Sequence, residues 1–251
     1  MFDEDELNVW EFIRPELFRS RNLAWGSIYI DLESGKVNFV QRWKYEFVVA
    51  QGVGAWTEQE KVDFHYAAES LIWKHWNSNR PLAGTSTDPT TLAIIQLLNS
   101  HNGVLFNVSG SHPFAQRFSA SGVPIEFDVL VVITRPHWNV RVKKLAAGQF
   151  EHSTVTWDSR QIRLIKSAVE TRSACNNAAP RVCSDQFTSV PHEFGHMLRR
   201  PDEYLRGSRF LDDANSIMNI GTEVRTRHLS WVRDQLNQML PNCTFSLPPE
   251  S

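Results

Sequence analysis

His192-Glu193-Phe194-Gly195-His196 is the stretch on which the reading of this chain turns. Residues i and i+4 of a helix share a face, so His192 and His196 can grip one metal ion together. Glu193 sits beside the first histidine, where it can take a proton from a water activated by that metal. This is the residue set of metal-dependent hydrolysis. Two histidines and a glutamate also occur on ordinary solvated helices, so the residues that follow carry weight.

Those residues are Met197-Leu198-Arg199-Arg200-Pro201-Asp202-Glu203-Tyr204 and, further on, Ser216-Ile217-Met218-Asn219. In metzincin-type zincins the motif continues as HExxHxxGxxH, and a methionine turn lies under the metal. Asp202 falls at the position of the last histidine, and aspartate ligates zinc. Met218 stands in a segment that looks like the Met-turn. Residues 189–231 thus resemble a zincin metallopeptidase active site. More closely, they resemble the metallopeptidase toxin domains of bacterial secreted effectors, including those fused to type VI secretion spike proteins. No resemblance extends over the first 150 residues.

The resemblance implies a Zn2+ cofactor held by His192, His196 and one carboxylate, with Glu193 as general base and a protein or peptide as substrate. For a delivered toxin it also implies a secretion-machine component or an immunity protein as partner. Two carboxylates compete for the third ligand position. Asp202 has the metzincin spacing, but Arg199 stands where glycine lets the metzincin helix turn sharply. Glu223 follows His196 by 27 residues, in the range at which gluzincins supply a glutamate. Glu223 is therefore expected ahead of Asp202, and the carboxylate left over can orient a histidine from behind. Tyr204, Arg227 and His228 are candidates to stabilise an oxyanion, with His228 preferred because it follows the Met-turn. The plainer reading of each is a half-buried polar group making one hydrogen bond. Met218 is expected to pack beneath the site.

Composition sets the outer bounds. The 251 residues suffice for one large domain or two small ones, and 41% hydrophobic with 22% charged residues is ordinary for a globular protein. A net charge of -2 gives no pull toward nucleic acid or an anionic membrane. No apolar run approaches a membrane span. The start, Met1-Phe2-Asp3-Glu4-Asp5-Glu6, is acidic where a Sec signal would be basic. The expectation is secretion by a non-Sec route and action in the periplasm of a target bacterium. Cys175 and Cys183 flank a turn-rich segment that can close into a disulfide loop, which would mark an oxidising compartment. The alternative is three unpaired thiols, Cys243 included.

Along the chain, residues 25–32 and 36–50 alternate like a β-hairpin around Glu33-Ser34-Gly35. Thr57-Glu58-Gln59-Glu60 is a capping box opening a helix to about residue 77. Asp88-Pro89 begins another, to about residue 100. Strands are expected over 103–108, 125–134, 140–145, 153–157 and 161–165. The motif helix starts near Ser189, because Pro191 is tolerated only in a first turn. A last helix is expected over 226–240 on a stripe of Leu229, Val232, Leu236 and Leu240. The fold class is α+β, a zincin-like domain with a mixed β-sheet, an active-site helix and a C-terminal helix. Residues 1–55 are set apart as a β-element, separate or part of the same domain, and 56–251 as the zincin-like domain. The expected function is a zinc-dependent endopeptidase, with a non-catalytic interaction module in a secretion or phage-tail-like machine as the rival.

Overall fold

The computed structural model describes residue 14 and residues 16–77 and 104–250. The helix expected over 88–100 lies outside them. Among the described residues a nine-stranded mixed sheet and four helices form the α+β arrangement anticipated from the sequence.

The sheet is organised by its longest strand, β3 (Lys36–Val49), which follows β1 (Phe18–Leu23) and β2 (Gly26–Asp31) in an antiparallel run. Its alternation decides its orientation. Val37, Phe39 and Trp43 are buried in the main core, and Tyr45 and Phe47 pack against the same core, all at period two. Gln41 falls on this face too, and its buried amide is satisfied. It donates to the Trp25 carbonyl at 3.2 Å and accepts from the Trp43 indole at 3.0 Å. Two later strands, β5 (Val123–Val131) and β6 (Trp138–Lys144), join β3 in parallel, over Val37–Trp43 and Trp43–Val49 respectively. A strand from the N-terminal 55 residues is therefore the middle of the sheet on which the rest assembles. The sheet order is completed by β4 (Leu105–Gly110) and β11 (Cys243–Ser246) beyond β5, and by β8 (Gln161–Ile165) and β7 (Thr154–Thr156) beyond β6.

Helix α1 (Glu58–Trp76) opens on the expected capping box, with Thr57 and Glu60 exchanging side-chain and backbone bonds. Its buried residues Phe64, Ala68, Ile72 and Trp76 recur every fourth position and form one stripe against the core. The stripe ends at the motif helix α3 (Ser189–Met197). There the Trp76 indole donates to the Pro191 carbonyl at 2.9 Å, and its ring meets Phe194 edge-on. The short helix α2 (Pro113–Phe118) packs on β4 and β11. The C-terminal helix α4 is shorter than expected, Ser230–Met239, because Thr226–Leu229 forms a 3-10 turn instead. A separate two-stranded sheet, β9 (Arg172–Cys175) with β10 (Cys183–Phe187), stands just before α3 and is closed by a Cys175–Cys183 disulfide. Sequence patterning missed it because its strands are short and half-exposed, with little apolar alternation. Cys243 is a free, buried thiol.

Candidate metal centre

Every residue of the motif helix from Ser189 to Gly195 is buried, so this helix is a core element that opens on one side only. His192 and His196 project from that side one turn apart, with ring centroids 4.9 Å apart. A backbone carbonyl takes one nitrogen of each ring. His192 Nδ1 donates to the Ile217 carbonyl and His196 Nδ1 to the Arg200 carbonyl, both at 2.7 Å. A carbonyl only accepts, so each Nδ1 carries a hydrogen, and in the neutral ring each Nε2 is left as a bare lone pair.

The two bare nitrogens converge on Asp202, each 3.1 Å from its Oδ1. Three acceptors facing one another repel unless a cation, either a proton or a metal, lies between them. Among the described residues, His192, His196 and Asp202 are the one group with the convergence a metal ion needs. Tetrahedral zinc with bonds of about 2.1 Å sets its ligand atoms about 3.4 Å apart, close to the spacing found here. The donor set fits zinc in chemistry and in separation.

The structure thus brings Asp202, and not Glu223, to the two histidines. Glu223 is not in this group; its carboxylate pairs with Arg225 at 2.6 Å. Its contribution is through the backbone, where Ser216 and Glu223 form a bridge and the Ile217 amide donates to the Glu223 carbonyl at 2.8 Å. Asp202 arrives because Arg199 makes the turn that glycine was expected to be needed for, at φ +61°. The Arg200 amide donates to the Gly195 carbonyl and the Arg199 amide to the His196 carbonyl, which is the Schellman pattern with arginine in the left-handed position. That conformation costs a non-glycine residue roughly 1–2 kcal/mol. The Arg199 guanidinium lies 4.7 Å from the Trp157 ring centroid, and such a contact returns about 0.5–1 kcal/mol.

The next residue, Glu203, points the opposite way, as adjacent positions in an extended segment do. It is buried and binds Arg227 at 2.8 Å, His228 at 3.2 Å and the Ser216 hydroxyl at 2.5 Å. Its amide donates to the Met218 carbonyl at 2.8 Å. Burial opposes its charge, but these partners win and hold its carboxyl down at about 2. Glu203 thus ties the Asp202 segment to the turn at residues 216–219. His228 belongs to this buried network and not to the cleft, which corrects its expected oxyanion role. Its Nδ1 accepts from the Arg225 amide at 3.0 Å, so Nε2 carries the hydrogen and faces Glu203. Burial lowers its pKa, with Glu203 opposing.

Tyr204, passed over in favour of His228, does face the site. Its ring lies 5.9 Å from that of His192, and its hydroxyl hydrogen-bonds Asp202. Burial first, and Asp202 second, raise its pKa, so it is a neutral donor at ordinary pH. Burial likewise raises the carboxyl of Glu193, against the pull of the neighbouring histidines. For His196, burial works against the charged form, but the bond to Asp202 prevails and raises its pKa. Asp202 moves the other way, its carboxyl held well below the carboxylate range by both histidines despite partial burial.

Two cavities meet at Glu193. One, of about 880 Å3, is lined by Trp157, His196, Arg199 and Asp202. The other, of about 300 Å3, is lined by Arg172, Phe187, His192 and Asn219. Tyr204, His152 and Ser153 border both. Arg172 is a site residue that nothing in its sequence context announces; only the register of β9 on β10 brings it here.

No family model matches this chain, and neither a curated protein nor a solved structure shows significant similarity to it.

Proposed function

We propose that this chain is a zinc-dependent endopeptidase. The observation that carries the reading is the convergence of His192 Nε2, His196 Nε2 and Asp202 Oδ1, with Glu193 beside them where two cavities join. A cleft that continues on both sides of the reacting group suits a chain passing through it.

In this reading His192, His196 and Asp202 would hold zinc beside the cleft. When bound, the metal supplies Lewis acidity to a water and to the scissile carbonyl. Glu193 takes the proton of the attacking water and delivers it to the leaving amine. The Tyr204 hydroxyl donates to the oxyanion that develops on the carbonyl. The Ile217 and Arg200 carbonyls fix the imidazole tautomers.

The resemblance of residues 189–231 to effector toxin domains supports a further reading, a bacterial antagonistic effector acting in the periplasm of a target cell. The Cys175–Cys183 disulfide fits an oxidising destination. The test is expression in bacteria with and without an added export signal, each beside a Glu193→Ala control. Toxicity is expected only with export and an intact Glu193. Separately, purified protein should carry about one zinc and cleave peptides, and Glu193→Ala should keep the zinc and lose cleavage. Cleavage that survives Glu193→Ala would end the peptidase reading and favour a non-catalytic interaction module.

A further inference from the structure

The smaller cavity contains a cation with no anion. Arg172 leads β9, and the antiparallel register sets it opposite Phe187 on β10. Its guanidinium lies 4.8 Å from the Phe187 ring centroid and 4.7 Å from that of Phe150, between two aromatic rings. The Phe187 ring in turn lies 5.2 Å from His192, so arginine, phenylalanine and histidine form a row leading into the site. The hydrogen-bonding of the guanidinium is poor. Its one side-chain contact is to the Ser189 hydroxyl at 3.4 Å, and Nε is buried with no partner. No carboxylate among the described residues forms an ion pair with it, although it borders the same cavity as Glu193 and Tyr204. A half-buried cation held between two aromatic rings thus lines the same cavity as Glu193.

Leaving such a group unpaired is unfavourable, and the fork of an arginine matches a carboxylate with two parallel bonds. The wall thus presents a cation for an anion. A peptide that carries a carboxylate supplies that anion.

The geometry points to Arg172 as the group that selects a substrate by its carboxylate, either an Asp or Glu side chain or the free C-terminus of the chain. This deepens the peptidase reading and rests on it for the word substrate; the binding chemistry does not need the metal. Arg181, exposed on the same wall, adds positive potential but no clamp.

The test uses the full chain with zinc removed by chelation, so that neither turnover nor the metal itself contributes to carboxylate binding. The probes are N-acetylated hexapeptides of one neutral sequence. One has a free C-terminal carboxylate, one the C-terminal amide, and others are amides with Glu or Gln at each position in turn. Binding is read by calorimetry. Wild type should prefer a carboxylate peptide over its neutral match by roughly 10- to 100-fold, the range of a charge-assisted pair. A preference confined to Glu over Gln assigns a side chain; one confined to acid over amide terminus assigns the C-terminus. In Arg172→Met the ratio should fall to near one, and Arg172→Lys should recover part of it. Equal binding of acid and neutral peptides by wild type, no binding of either, or a ratio that survives Arg172→Met overturns the assignment. Equal loss of the ratio in Arg181→Met also overturns it, since the effect would then be diffuse charge. If the ratio depends on Arg172 but zinc-loaded wild type cleaves none of these peptides, the carboxylate site stands and the peptidase reading falls.

Discussion

Gly195 and Met218 occupy what would otherwise be one volume: a Cβ on Gly195 would lie 2.1 Å from the Met218 sulfur. The second variable residue of the motif is therefore restricted by the Met218 side chain packed against it. Both are fully in the core, and Met218 sits between the helix that carries the histidines and the segment that carries Asp202. Gly195→Ala should destabilise the fold by about 1–3 kcal/mol through overpacking and weaken metal binding with it. Pairing it with Met218→Ala should recover part of the stability, read as a positive coupling in a double-mutant cycle of chemical denaturation. Simple additivity of the two changes would show that the contact does not matter.

Asp202→Ala should weaken zinc binding by more than roughly 100-fold, beyond the range expected for a group that only orients a ligand. Glu223→Ala, which removes only a half-buried partner of Arg225, should change it by less than about 10-fold. Competition with a metal indicator measures both. The opposite ranking would return Glu223 to the metal.

The turn at Arg199 is a stability question with two opposing terms. Glycine relieves the left-handed strain but forfeits the contact with Trp157, so Arg199→Gly should shift stability by less than about 1 kcal/mol. Arg199→Val keeps the strain in its worst form and loses the contact, and should cost more than Arg199→Gly while releasing Asp202 from the histidines. Thermal melts together with zinc titration separate the two effects.

Glu203 should govern part of the acid stability. Its folded pKa, about 2, lies below the ordinary 4.5, so its contribution is present above the unfolded value and is lost as pH falls toward 2. Glu203→Gln should cost about 3 kcal/mol at neutral pH by leaving Arg227 and His228 short of a partner, and should flatten the pH dependence in that window. An acid profile indistinguishable from wild type would contradict the role.

The disulfide should matter for the cleft as well as for stability. It closes a loop with a sequence separation of 8, a constraint worth about 2–3 kcal/mol. The hairpin it closes carries both Arg172 and Phe187. Replacing Cys175 and Cys183 by serine should lower the melting temperature, and it should weaken peptide binding more than zinc binding. Equal melting of oxidised and reduced protein would argue that the hairpin is held by its backbone bonds alone.

The sequence by itself determined the parts whose cause is local. The alternation of β3, the Thr57–Glu60 capping box and the start of the motif helix near Pro191 follow from side-chain period and from groups a few residues apart. The pairing of His192 with His196 is equally local, since helical geometry alone puts i and i+4 together. The tertiary structure decided everything that depends on what lies opposite. Whether Asp202 or Glu223 reaches the histidines turned on a single left-handed residue, Arg199, whose strain is offset by a tryptophan far away in the chain. His228 looked like a cleft residue by position, but Glu203 and Trp76 hold it in the core. Arg172 had no signal at all, because its place beside His192 exists only through a strand pairing with Phe187. Spacing along a chain fixes neighbours within one helix or strand; contacts between elements are set by turns and registers that cost or return only about a kilocalorie each, too little to be read from residue types alone.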